Sequence, residues 1–202
     1  MTRVIAIDPD HPAPASLEDA AAVLRAGGLV AFPTESFYGL AADALDAAAV
    51  ARVFRAKGRP ETKPVLVLVD SIAMAEGISA DLSTDTRELM ARHWPGPLTL
   101  VVKAAAHVPA ALTAGTGTVG VRLPGLPVAR ALVRATGRPI TAPSANPSGG
   151  QPPTTAGEVR ASLGDALHVI LDGGPTAGGT GSTIADCTTW PPRVLRAGPV
   201  AL

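Results

Sequence analysis

The 202-residue sequence predicts an α/β fold in a single domain spanning 1–202, a twisted mixed parallel and antiparallel sheet with flanking helices around a concave basic pocket. Three observations carry this. Short apolar runs ending at proline or a polar loop alternate with stretches of helical periodicity. Hydrophobic residues make up 47% of the chain and aromatic residues only 3%, so the core must be small aliphatics, which suit helices packed closely on a sheet. No internal repeat or linker-like polar tract divides the chain, and a chain of this length buries roughly 70% of its unfolded surface without staples.

Ser16-Leu17-Glu18-Asp19 resembles a capping box, and Leu17, Ala20, Ala21 and Leu24 follow at helical spacing until Gly27-Gly28. Leu29 to Phe32 is a continuous apolar run ending at Pro33, hence a buried strand delivering the loop Pro33-Thr34-Glu35-Ser36. Asp46 can cap a helix running to Phe54, a loop from Lys57 to Pro64 follows, and Val65 to Val69 is the next strand. Ser83 to His93 is helical, Trp94-Pro95-Gly96-Pro97 is a packed corner, and Leu98 to Val102 is a strand. Val119 to Leu123 alternates as a strand, Pro127 opens a helix that Gly137 ends, and Ile140 to Ala142 feeds the loop Pro143 to Gly150. Thr155 to Leu163 is a helix, His168 to Leu171 a strand, Gly173 to Gly181 a glycine-rich loop, and Ser182 to Asp186 and Arg193 to Arg196 the last strands. Polar loops follow the strands at Phe32, Val69, Ala142 and Leu171, and ligand crevices in open α/β sheets lie at such carboxyl ends.

Composition narrows the functional classes. Lys and Arg total 17 against 17 Asp and Glu, which argues against a surface given over wholly to nucleic acid and leaves room for a local basic pocket. The single Cys187 excludes an intrachain disulfide and a cysteine-based zinc site, and reads as a small buried residue. The apolar run near Met1 is too short for a signal sequence, and nothing approaches the roughly 18 apolar residues of a membrane span, so a cytoplasmic location without membrane contact is expected.

Lysine is scarce, yet two of three lysines, Lys57 and Lys63, share one short loop with Arg59. Like charges concentrated between Gly58, Pro60 and Pro64 repel unless an anion relieves them, and a polyphosphate is such an anion; a solvated basic turn is the plainer reading. Arg122 lies within the apolar strand Val119-Gly120-Val121-Arg122-Leu123, where a guanidinium needs an anionic partner. That partner is either a protein carboxylate such as Asp172 or Glu35, or a ligand carboxylate or phosphate. Pro143-Ser144-Ala145-Asn146 and Gly179-Thr180-Gly181-Ser182-Thr183 offer hydroxyls and accessible amides suited to anions. No P-loop string and no dinucleotide-binding glycine fingerprint occurs, so a nucleotide would be held differently. The four histidines lack metal-ligand spacing, His168 reads as packing, and exposed aromatic platforms for RNA are not expected.

Taken in order, GGLVAFPTESFYGL from Gly27, Lys57-x-Arg59-Pro60, Lys63-Pro64, Trp94 to Thr99, Val119 to Pro124, Ala142 to Asn146, Asp172-Gly173-Gly174, Ser182-Thr183-Ile184 and Leu195-Arg196-x-Gly198 resemble the YrdC/TsaC family, the L-threonylcarbamoyladenylate synthases. The resemblance covers essentially the whole chain. It implies a nucleotidyltransferase making threonylcarbamoyl-AMP and pyrophosphate from L-threonine, bicarbonate and ATP, for threonylcarbamoyladenosine in tRNA, with a downstream threonylcarbamoyl-transferase complex as partner. It further implies that Thr34, Arg122 and Ser182 hold L-threonine, Arg122 through its carboxylate. Lys57 and Arg59 would be catalytic and grip the phosphates, with Lys63, Thr118, Ser144, Asn146 and Arg196 completing the ATP side and Mg2+ arriving with ATP rather than on a protein site. The loop from Lys57 to Lys63 would be mobile without ligands and order over the triphosphate. Leu68 stands where some relatives carry histidine, and Ser36 replaces a threonine. The chain stops soon after Arg196, which points to the short single-domain type without the C-terminal accessory domain of longer relatives. The alternative is a non-catalytic RNA-binding or ribosome-associated module using the same basic surface.

Overall fold

Residues 1–60 and 64–202 are described by the computed structural model, and Lys63 therefore lies outside the described residues. In chain order they form β1 (Arg3–Ala6), α1 (Pro14–Arg25), β2 (Val30–Pro33), β3 (Tyr38–Ala41), α2 (Ala47–Lys57) and β4 (Val67–Leu68). Then come α3 (Ile72–Gly77), α4 (Thr84–His93), β5 (Leu98–Lys103), α5 (Ala110–Thr113), β6 (Thr118–Arg122) and α6 (Pro127–Thr136). The remainder is β7 (Ile140–Thr141), α7 (Ala156–Leu163), β8 (Val169–Asp172), β9 (Thr183–Asp186) and β10 (Arg193–Arg196).

Local chemistry sets most helix ends. Asp46 caps α2 by accepting from the Ala48 N–H over 2.8 Å, Ser83 caps α4, and Thr155 with Glu158 forms a full capping box on α7. Pro127 opens α6, and Gly137 closes it at φ 72°. The expected capping box at Ser16 does not form. α1 starts three residues earlier, at Pro14, whose ring presets the helical φ, and its cap residue Ala13 offers no side-chain bond. Lys57 is the last residue of α2 rather than the first of a loop. Unread in the sequence were β1 and β3 and the helices α3 and α5. β3 carries a glycine within four residues, and α3 and α5, at 6 and 4 residues, are too short to show a period.

The α/β class holds, but the strands divide between two mixed sheets, ordered β1-β8-β2-β3 and β10-β9-β5-β6-β4-β7, where one was expected. β8 runs parallel to β1 and β2, while β2 and β3 are antiparallel; in the second sheet β4 is parallel to β6 and β5 to β9. The sheets meet where β3 faces β7. Leu40 N–H donates to Pro143 O and Ala145 N–H to Tyr38 O, both over 2.8 Å. Pro139 and Pro143 bracket β7, and each lacks the N–H that a longer ladder would use. The join therefore stays short and irregular, and the two sheets enclose a concavity.

Strand alternation distributes the core. On the first sheet Val30, Phe32, Val169 and Leu171 pack under α1 and α6, while Ala31 and Ile170 face α2 and α7. On the second, Val67, Leu100, Val121 and Ala185 pack against α2, α4 and α5. Leu66, Leu68, Arg122 and Ile184 fall on the opposite face and line the concavity. Period two thus moves Arg122 out of the apolar core and onto the site wall. Among the described residues no helix is long and apolar enough to cross a membrane.

Candidate active site

The cavity has a volume of about 780 Å³. Its walls come from the loop after β2 with Thr34, the end of β6 with Arg122, the loop after β7 with Ser144, the glycine-rich run Gly178 to Ser182, and Arg196 of β10. Three of the four loops expected at strand ends reach it. The loop after Val69 does not, because Ser71 turns it directly into α3 by capping Met74 N–H. The charged lining is Arg59, Arg122 and Arg196, with no carboxylate among the described lining residues. An adjoining recess of about 310 Å³ shares Ser36, Arg122, Thr180 and Ser182 with the cavity and adds Glu35.

Arg122 is 6% exposed, and its protein partner is Glu35 rather than Asp172. Arg122 Nε donates to Gly96 O over 2.9 Å, and Nη2 lies 2.7 Å from Glu35 Oε1. That second contact is close but poorly aligned, so among the described residues Nη2 remains without a hydrogen-bond acceptor, as Glu35 Oε2 remains without a donor. The Trp94 corner supports this arrangement: its indole N–H donates to Leu98 O, and Gly96 N–H donates to Leu123 O beside Arg122.

Arg196 approaches from the edge strand. Its Nε and Nη2 donate to Ser182 O over 3.0 and 2.7 Å, and Nη2 reaches Ser182 Oγ over 3.1 Å. Burial, then the charge of Arg122, lowers its pKa, so two guanidinium groups face each other across space that an anion would neutralise. Ser182 Oγ also shares a hydrogen bond of 2.8 Å with Thr99 Oγ1. Gly198 makes the approach of β10 to this loop fit, since a Cβ there would lie 2.5 Å from Thr183 N.

Lys57 is 3% exposed. Its ammonium donates to Ser144 O and, over 2.6 Å, to Asn146 O, while its own carbonyl accepts from Ser148 N–H. Burial first, then the charge of Arg59, pushes its pKa down to about 8. It stands behind the wall rather than on a free loop, so the expected mobile loop does not begin there. Asn146 spends both amide protons on Pro147 O and Gly150 O. Arg59 donates to Pro64 O over 2.9 Å, and its Nε is buried with no acceptor among the described residues.

Thr34 donates its hydroxyl to Phe37 O over 2.7 Å, which leaves oxygen lone pairs for a ligand donor. Thr118 stands at the opposite end of β6 from Arg122, sharing a hydrogen bond with Thr116, and does not line the cavity. Tyr38, to which the sequence assigned no role, ties the first sheet to the glycine loop by donating to Gly174 O over 2.7 Å; burial foremost pushes its pKa up to about 12. Among the described residues no three His, Cys, Asp or Glu side chains converge.

The remaining singletons lie away from the cavity. His168 is exposed, its Nδ1 accepting from Leu29 N–H, and Cys187 is half-buried with its thiol pushed up to about 11 by burial. Contrary to expectation one aromatic platform is exposed, Trp190 at 52%.

The family model Sua5/YciO/YrdC, described as "Telomere recombination", matches residues 22–198. The threonylcarbamoyl-AMP synthase of Pyrococcus abyssi is 45% identical over 183 residues, covering 91% of this chain and 54% of that protein. The threonylcarbamoyl-AMP synthase of Thiobacillus denitrificans is 40% identical over 176 residues, 87% of this chain and 92% of that protein. The crystal structure of P. abyssi Sua5 complexed with L-threonine superposes with a TM-score of 0.93 at 42% identity, covering 96% of this chain and 57% of that one. The chain thus spans little more than half the length of the P. abyssi protein.

Proposed function

Because the chain belongs to the Sua5/YciO/YrdC family, we propose that it is a threonylcarbamoyl-AMP synthase, condensing L-threonine, bicarbonate and ATP into threonylcarbamoyl-AMP, pyrophosphate and water. The observation that carries this is the cavity itself, with Arg59, Arg122 and Arg196 converging on one space that has no lining carboxylate among the described residues, bordered by the hydroxyls of Thr34, Ser144 and Ser182. Such a space suits a ligand set rich in anions.

The chemistry asks little of a protein base. The threonine nitrogen takes up CO2 as a carbamate, whose oxygen attacks the α-phosphorus while pyrophosphate leaves. Orientation, exclusion of water and cations near the leaving group are what a protein can add. Arg122 would hold the threonine carboxylate, with Thr34 and Ser182 at its hydroxyl. Arg59, Arg196 and Ser144 would take the nucleotide, and Lys57 and Asn146 would brace the Ser144 loop from behind. Arginines are the only charged lining among the described residues and offer a divalent cation no ligand, so on this reading magnesium would arrive with the nucleotide substrate. The expected role for Lys63 falls outside the described residues. A cytoplasmic setting, with a downstream enzyme that transfers the threonylcarbamoyl group to tRNA, follows from the same reading.

Labelled bicarbonate tests it. After incubation with ATP and threonine, label should move into a species carrying both adenylate and threonine. Label found only in bicarbonate would contradict the proposal.

A further inference from the structure

The sequence places a glutamate two residues after β2, where the Thr34 to Phe37 turn swings it away from the main cavity and into the adjoining recess. We propose that Glu35 is a specificity-determining residue: its Oε2 receives the α-ammonium group of the amino-acid substrate beside the guanidinium that receives the carboxylate. This rests on the synthase reading given above.

The two oxygens of Glu35 have different surroundings. Oε1 is engaged by backbone, accepting from Gly125 N–H and, over 3.3 Å, from Leu126 N–H, and it lies 2.7 Å from Arg122 Nη2 in an ion pair without hydrogen-bond alignment. These bonds fix the turn that leads into α6, and they explain why a glutamate side chain is held here. They do not explain Oε2, which is buried with no donor among the described residues. A carboxylate oxygen left unpaired in the interior is costly, and native proteins rarely keep one without a use. Arg122 Nη2 is the matching orphan, a buried donor without an aligned acceptor.

One free acceptor and one free donor, on side chains already in contact, are complementary to an α-amino acid, whose ammonium and carboxylate sit on the same carbon. The main cavity supplies nothing of this kind. Among the described residues its charged lining is entirely cationic, which favours anions and repels an ammonium group. Across the cavity and its recess Glu35 is the single carboxylate among the described lining residues. Amine recognition therefore falls to it.

The test compares two ligands on two proteins. L-threonine and 2,3-dihydroxybutanoate of the same configuration share carboxylate, side-chain hydroxyl and shape, and differ only in the α-ammonium group. Calorimetric titration of the wild type should favour threonine by about tenfold or more, as expected when a charged donor meets a carboxylate. Glu35→Gln keeps an oxygen for the Gly125 and Leu126 amides but removes the charge. In that variant the preference should shrink to about threefold or less, with ATP affinity within about twofold of wild type. A purely structural Glu35 would weaken both ligands by one common factor, and that result, or an unchanged preference, would overturn the proposal. Should the variant fail to fold, the wild type alone decides, because equal affinity for the two ligands overturns it. A wild type that binds threonine without this preference removes only the Glu35 assignment, whereas one that binds no threonine removes the synthase reading with it.

Discussion

Lys57 Nζ lies 2.6 Å from the main-chain carbonyl of Asn146, so the final residue of α2 braces the loop that carries Ser144 into the cavity. A buried ammonium held by two neutral carbonyls has a depressed pKa, here about 8 against 10.5 in the unfolded chain. Below that pH both states carry the charge, and the folded state bears the full cost of burying it. As pH rises from 8 towards 10.5 the folded state releases its proton first, so stability from this group increases. Wild-type protein should gain roughly 3 kcal/mol relative to Lys57→Met across that window, an upper figure given the partial solvent screening. Urea unfolding of both proteins at the two ends of the window checks this; a difference that is flat or falls with pH contradicts it. The same variant should lower kcat by about tenfold or more if the Ser144 loop must be held for phosphoryl chemistry.

Arg122→Lys keeps the charge, but one ammonium cannot reproduce both the Gly96 bond and the Glu35 contact while still presenting a planar fork. Threonine affinity should fall by roughly 1.5–3 kcal/mol, with a much smaller effect on ATP. Separate titrations with each ligand measure the split, and equal losses would remove Arg122 from the carboxylate.

Valine keeps the shape of threonine and lacks its hydroxyl. If Thr34 and Ser182 pair that hydroxyl as proposed, valine should support pyrophosphate release at least about a hundredfold less efficiently, since unpaired polar groups in the site oppose it. Comparable kcat/KM values for the two amino acids would show that the pocket reads shape alone.

Gly198→Ala would put a methyl group against the backbone of Thr183 and Gly181 and push β10 outward. Overpacking of this kind costs roughly 1–3 kcal/mol, or a drop of about 2–4 °C in Tm for each kcal/mol in a chain of this size. Arg196 would retreat with the strand, so ATP affinity should weaken along with Tm. An unchanged Tm would mean that the loop yields freely.

Much of this site was legible in the sequence because its devices are local. Asp46 before an apolar helix, Pro127 and Gly137 bounding another, and the glycine-rich run before Ser182 each announce themselves through backbone chemistry. Arg122 was legible as a charge out of place in an apolar strand, although the choice between Glu35 and Asp172 was not, because that depends on how the turn before β3 folds. The burial of Lys57 was equally hidden: charge density suggested an exposed cationic loop, and only the packing of the Ser144–Asn146 carbonyls against the end of α2 reverses that. The division into two sheets turned on β7, whose flanking prolines signalled a loop but not the junction between sheets.

The central claim is tested most directly by pyrophosphate release from ATP, measured with threonine and bicarbonate supplied together, each omitted in turn, and both replaced by carbamoyl phosphate. Release should require ATP, threonine and bicarbonate together and should not be supported by carbamoyl phosphate. Release that persists without threonine, or that carbamoyl phosphate alone sustains, would contradict the assignment.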